Sequence, residues 1–240
     1  MRRKKLLLPV MLLAATLLGG GSVLAQTIQD DAQDWVRRGN ERYARAEYEA
    51  ALENYSRVPA GAGEIYAQAL YNMGVCYYEL WRTEDAVRMY RQAAQVMQGR
   101  YPKALYALGV ALGDAGRPDE AKEAYRQAIE ASDGHHALAQ YMLGVMLMAE
   151  GDDRGAADFF RAAIRSAGGH FPGGHNNLGV TLARSGRMSE AEREFEVALR
   201  QAGGEFAEAT HNLELCRSLG QSASTRAALS SSLKTAGAIK

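Results

Sequence analysis

Residues 105–130 read LYALGVALGDAGRPDEAKEAYRQAIE. Leu105, Leu108 and Leu112, then Ala121, Tyr125, Ala128 and Ile129, recur at spacings of three and four, the signature of two amphipathic helices. Between them stands Asp114-Ala115-Gly116-Arg117-Pro118. Gly116 suits a left-handed turn after the first helix. Pro118 suits the first turn of the second, and Asp119 and Glu120 suit its positive end. The stretch is one of five copies. Gly109 recurs every 35 residues as Gly39, Gly74, Gly144 and Gly179. Ala51, Ala86, Ala121, Ala156 and Ala191 follow 12 residues later. Tyr55, Tyr90, Tyr125, Phe160 and Phe195 come four residues after those, then Val58, Ala93, Ala128, Ala163 and Ala198. Self-similarity at a period of this size marks stacked helical hairpins. Such a chain works through an extended surface, not usually through a reaction centre.

Applied to every copy, the pattern predicts helices over 31–44 and 47–58, 67–80 and 83–98, 102–115 and 118–132, 137–149 and 153–167, and 173–185 and 188–202. Gly151 and Gly186 occupy the turn position of Gly116, whereas Ala46 and Trp81 stand there in the first two copies and predict looser turns. Gly99, Gly134, Gly169 and Gly204 mark the exits of the second helices. Two residues after these come the rings Tyr101, His136, Phe171 and Phe206, with Tyr66 in the first copy, read as wedges under the neighbouring repeat. The Asn177-Leu178 pair returns as Asn212-Leu213, but Glu214 replaces the glycine and no second helix follows. The expected fold is therefore an all-α, right-handed α-solenoid of five helix-turn-helix repeats plus a C-terminal capping helix. The repeats lie at about 32–66, 67–101, 102–136, 137–171 and 172–206, with the cap at 207–219. Residues 26–33 read as a short linker before a solenoid at 34–219. Residues 220–240, rich in Ser, Ala and Thr, read as a disordered tail.

The N-terminus reads differently. Arg2, Arg3, Lys4 and Lys5 precede an apolar run from Leu6 to Leu18, and Val23-Leu24-Ala25 offers small residues before Gln26. This is the layout of a signal peptide over 1–25, with an uncleaved anchor as the rival reading. The run falls short of the ~20 residues of a comfortable membrane span. The chain has 240 residues, 47% hydrophobic and 23% charged, with a formal charge of zero. Without the four leader cations it carries 24 basic against 28 acidic residues, near −4. That balance argues against nucleic acid and anionic lipid as partners. Cys76 and Cys216 lie four periods apart. That is on the order of 35 Å of helix packing, beyond the ~7 Å a disulfide allows between Cα atoms. Two free thiols are expected.

The pattern resembles the tetratricopeptide repeat, W-x-x-L-G-x-x-Y, then A-x-x-x-F, then P. Trp35, Gly39, Ala51 and Tyr55 fit in the first copy, Leu108-Gly109, Leu112, Ala121 and Tyr125 in the third, and Leu178-Gly179, Leu182, Ala191 and Phe195 in the fifth. The period of 35 exceeds the family's 34 by one residue, assigned to the loop between repeats. Sel1-like repeats are the minor alternative.

The resemblance implies protein–protein interaction through a groove lined by first helices. The lining columns are Val36, Tyr71, Tyr106, Tyr141 and Asn176; Asn40, Val75, Val110, Val145 and Val180; and Tyr43, Tyr78, Gly113, Met148 and Ala183. The candidate partner-binding residues are Tyr71, Val75, Tyr78, Tyr106, Val110, Tyr141, Val145, Asn176 and Val180. The valine column has a second reading, as residues half-buried between repeats. Tyr106→Ala is expected to weaken binding and spare the helical melt. The guest is a protein or peptide with apolar side chains.

No catalytic motif is present: the chain has no phosphate loop, no His-Glu-x-x-His and no Gly-x-Ser-x-Gly. No catalytic residue, metal ligand or cofactor is assigned, and His135, His136, His170, His175 and His211 read as loop histidines. The expected role is an adaptor exported to a bacterial envelope, periplasmic or secreted. The alternatives are a membrane-held structural subunit and, third, a metal or small-ligand carrier.

Overall fold

The computed structural model describes residues 14–220 together with Leu233, Lys234, Thr235 and Gly237, with side chains from Gln26 to Ser218 and at those C-terminal positions. The signal-peptide reading of 1–25 thus falls largely outside the described residues. The chain forms two compact units, Met1–Gln98 and Gly99–Lys240. The first holds α1 (Ala14–Tyr43), α2 (Tyr48–Tyr55), a 3-10 turn (Ala60–Ala62), α3 (Glu64–Glu79) and α4 (Thr83–Val96). The second holds α5 (Pro102–Asp114), α6 (Pro118–Glu130), α7 (Ala137–Ala149), α8 (Asp153–Ser166), α9 (Pro172–Arg184), α10 (Met188–Gln201) and α11 (Ala207–Gly220). Among the described residues there is no strand. Each odd-numbered helix up to α9 packs on the helix that follows it, and within each unit one pair packs on the next. The architecture is an all-α solenoid of five helix pairs, with α11 packed on α10 as a further helix.

The repeated glycine explains how each pair closes. A Cβ built on Gly109 would lie 2.5 Å from Tyr125 Cε1, on Gly144 2.7 Å from Phe160 Cε1, and on Gly179 2.5 Å from Phe195 Cε1. Tyr55 and Tyr90 cover Gly39 and Gly74 in the same way. All five rings are buried. The ring therefore lies flat against the glycine backbone of its own repeat, which no larger residue permits. The rings after the second-helix exits also turn back. His136 stacks on Tyr106 at 5.2 Å between ring centroids, and Phe171 packs on Tyr141 at 5.0 Å.

The turns are more uniform than the sequence implies. Gly116, Gly151 and Gly186 have φ of 73°, 85° and 78°, and Ala46 and Trp81 both adopt 58°. In every copy the residue after this position donates its N–H to the carbonyl five residues back, as Arg82 does to Tyr77 at 2.9 Å and Arg117 to Leu112 at 2.9 Å. This hydrogen bond holds a left-handed turn even where a side chain makes it costly. The expected looser turns are not found.

Two boundaries differ from the sequence reading. Residues 26–33 are not a linker but part of α1, and Ala32 is fully buried in the first unit's core. α2 stops at Tyr55 because Pro59 cannot continue it, and Gly63, with φ of 58°, lets α3 begin at Glu64. Of the expected disordered tail, residues 221–232, 236 and 238–240 lie outside the described residues. Leu233 packs against the second unit's core and Lys234 is hydrogen-bonded to α11, so these residues are docked rather than free.

Burial also sets the chemistry of several side chains. Cys76 and Cys216 are free and fully buried, and burial pushes their thiols up to about 12 and about 11. His136 caps α7 by accepting the Ala139 N–H at Nδ1, 3.2 Å away, and burial holds its pKa below the ordinary histidine value.

Three outcomes follow, each read by urea unfolding. Gly109→Ala costs about 1–3 kcal/mol through overpacking, and less in a chain that also carries Tyr125→Leu; additive losses would refute the ring-on-glycine contact. Trp81 is 89% exposed, so Trp81→Gly relieves the left-handed strain at little packing cost and stabilises by about 1 kcal/mol. The neutral His136 ring is favoured on folding. Stability is therefore complete above the unfolded pKa of about 6.5 and falls as pH drops through that value toward the lower folded pKa. His136→Asn keeps a capping acceptor and loses less stability between about pH 7.5 and about pH 5; an equal loss would show that His136 does not carry this dependence.

Candidate functional site

The first helices bring the expected lining residues into different environments. In the first unit, Tyr71, Val75 and Tyr78 on α3 are half-buried, and the Tyr71 ring lies 5.6 Å from that of Tyr90. Asn40 accepts from the Tyr55 hydroxyl at 2.7 Å and from Asn72 Nδ2 at 3.1 Å. In the second unit, Tyr106, Val110 and Val145 are half-buried, while Tyr141, Asn176 and Val180 are buried. Tyr106 lies 5.8 Å from Tyr125 as well as stacking on His136. Truncating it therefore removes packing, and the expectation of an unchanged melt does not stand.

The second unit's first helices carry an uncommon group of buried amides. Asn176, Asn177, Thr181 and Asn212 are all 0% exposed. Buried polar groups are costly unless each finds a partner, and here the partners form a line. Asn212 Nδ2 on α11 donates to Asn176 Oδ1 at 3.0 Å, and Asn176 Nδ2 on α9 donates to Asn177 Oδ1 at 3.1 Å. Asn177 Nδ2 donates to the Tyr141 hydroxyl on α7 at 2.9 Å, and that hydroxyl donates to the Gly237 carbonyl at 3.1 Å. Burial pushes the Tyr141 phenol well up, so it stays protonated as a donor.

The line ends on main chain at both sides. Asn212 accepts the Lys234 N–H at Oδ1, 2.8 Å, and donates from Nδ2 to the Lys234 carbonyl, 2.6 Å. Asn176 Nδ2 also donates to that carbonyl at 3.2 Å. One amide thus reads both backbone groups of one residue, while the Lys234 side chain is exposed and Leu233 packs into the cluster containing Tyr141, Leu178, Val180 and Leu213. The Lys234 main chain is thus held on both its N–H and its carbonyl, and Leu233 is held by an apolar cluster.

Sequence reading named Tyr141, Asn176 and Val180 at this place but missed Asn177 and Asn212. The signal was present. Asn177 and Asn212 stand one period apart, two residues before the marker position. The pair was read only as evidence of register. Among the described residues no group of three His, Cys, Asp or Glu is placed to hold a metal ion. His175 instead pairs with Glu194 at 2.7 Å.

Two family profiles described as tetratricopeptide repeat match residues 36–99 and 106–171. Comparison with curated protein sequences finds no match. Several solved structures share the fold. One described as YrrB, a TPR protein with an unusual peptide-binding site, aligns at TM-score 0.59 and 23% identity, over 80% of this chain and 97% of its own. A MamA protein aligns at 0.61 and 20% identity, over 74% and 97%. MamA from Desulfovibrio magneticus RS-1, residues 41 to the end, aligns at 0.60 and 18%, over 73% and 97%. With the profiles covering more than half the chain and the same helix pairing in the coordinates, the chain belongs to the tetratricopeptide repeat family.

Proposed function

We propose that this protein is a non-enzymatic interaction scaffold that binds an extended segment of a partner protein on the first-helix face of α7, α9 and α11, and that it acts in a bacterial cell envelope. The observation that carries the reading is the use to which the buried amides are put. Asn176 and Asn212 spend donors on the main chain of another segment, not only on holding the repeats together. A fold that needed them for packing alone would satisfy them within and between helices. The peptide-binding site named for YrrB, a protein of the same fold, supports the same class of function.

Envelope location rests on the leader layout of residues 1–25 and the charge of the mature chain, which disfavours nucleic acid as a partner. A second reading, a subunit held at the membrane by an uncleaved leader, draws on α1. That helix begins at Ala14 and runs without a break through Ala25 and Gln26 into the first repeat.

Two measurements test these readings. Display of random peptides on the full chain should enrich sequences with an apolar anchor, and the Asn176→Ala, Asn212→Ala double variant should lose that enrichment while its helical circular-dichroism signal persists. Equal enrichment by both chains would remove this face as the site. Intact mass of protein recovered from the native organism should begin at Gln26; a chain beginning at Met1 in the membrane fraction would favour the anchored reading.

A further inference from the structure

The residues held by the asparagine line belong to the protein's own C-terminal segment. We propose that the C-terminal segment, through Leu233, Lys234 and Gly237, is the resident occupant of a backbone-reading peptide site on α7, α9 and α11, and that a partner peptide, extended and bearing a leucine-like anchor, binds by displacing it. This rests on the reading of that face as a peptide site.

Geometry supports the occupancy. The segment crosses the first helices in reverse order, with Leu233 and Lys234 at α11 and α9 and Gly237 at α7. The three steps from Lys234 to Gly237 reach at most about 10 Å when extended, close to the ~8–10 Å between packed helix axes. The step from Lys234 at α9 to Gly237 at α7 is therefore within reach of three residues. The route back is also long enough. Twelve residues, or thirteen chain steps, separate Gly220 from Leu233, a reach of up to about 45 Å. Asn212 lies only eight residues inside the end of α11, about 12 Å of helix.

The contacts suit an exchangeable occupant. Asn212 reads the N–H and the carbonyl of Lys234 and nothing of its exposed side chain, so any non-proline residue fits there. Among the described residues of the segment, Leu233 alone packs into the apolar cluster and supplies side-chain selectivity. A tethered segment competes at an effective concentration in the millimolar range. The site is thereby closed to weak, non-matching chains and open to a partner that binds more of the same surface.

The test uses the full chain and one substitution within the occupant. Lys234→Pro removes the N–H that Asn212 accepts and leaves every groove residue intact. Amide hydrogen exchange over residues 229–240 should be at least tenfold slower in the natural chain than in K234P. A fluorescein-labelled synthetic peptide copying residues 228–240 should bind K234P at least tenfold more tightly, by anisotropy, than it binds the natural chain. Adding Asn212→Ala to K234P should abolish the binding, and Leu233→Asp in the natural chain should open the site as K234P does. Equally fast tail exchange in both chains overturns the resident occupant. Equal peptide affinity in both overturns displacement, while leaving the peptide site standing. A probe bound by neither chain overturns the peptide site itself.

Discussion

An aromatic ring pressed on a bare glycine backbone is the contact on which the rest of this protein depends. It brings the two helices of a repeat closer than any pair of side chains would permit, and it does so five times with the same spacing. Buried apolar contact is worth roughly 25 cal/mol per Å², and a ring against backbone gains close dispersion contact as well. The contact is local in sequence, because glycine and ring lie only 16 residues apart. It also fixes the rotation of each first helix. With the glycine turned toward the second helix, the residues two and three before it are left to build the face where Tyr141, Asn176 and Asn177 gather, and Asn212 joins them from the matching position of α11.

That face turns a structural liability into a connected network. Four polar side chains at zero exposure are tolerated only in a connected network. Each amide in the line passes a donor to the next, from α11 through α9 to α7, and both ends close on main chain. Asn212 holds one residue by its N–H and its carbonyl and makes no use of that residue's side chain.

The fold was legible because its cause is periodic. Once Gly109 and Tyr125 are seen to recur at 35, the helix pairs, their turns and the terminal α11 follow, and most helix ends agree within two residues. What escaped were features with non-periodic causes. Pro59 cut α2 short, and Ala32 drew residues 26–33 into α1 because an apolar neighbour was there to cover it. Trp81 was read as a looser turn because its own preference was weighed without the hydrogen bond from Arg82 to Tyr77 that overrides it. At the candidate site, columns of side chains could be read as facing one way, but sequence alone gave no sign that Tyr106 would be stacked while Tyr141 was fully covered. Nor could it show a distant segment returning to cover them, since Leu233 and Asn176 share no spacing rule.

Each repeat carries its lock within itself, glycine on one helix and ring on the other. A change of chain length by whole 35-residue cassettes therefore keeps each glycine–ring contact intact and has only the packing between neighbouring pairs to rebuild. Selection is free to vary the amide line on one face while the hairpins beneath it are copied unchanged. Evolvability here is a consequence of packing: the residues that close each hairpin and the residues that build the network face are written at different positions of the same period.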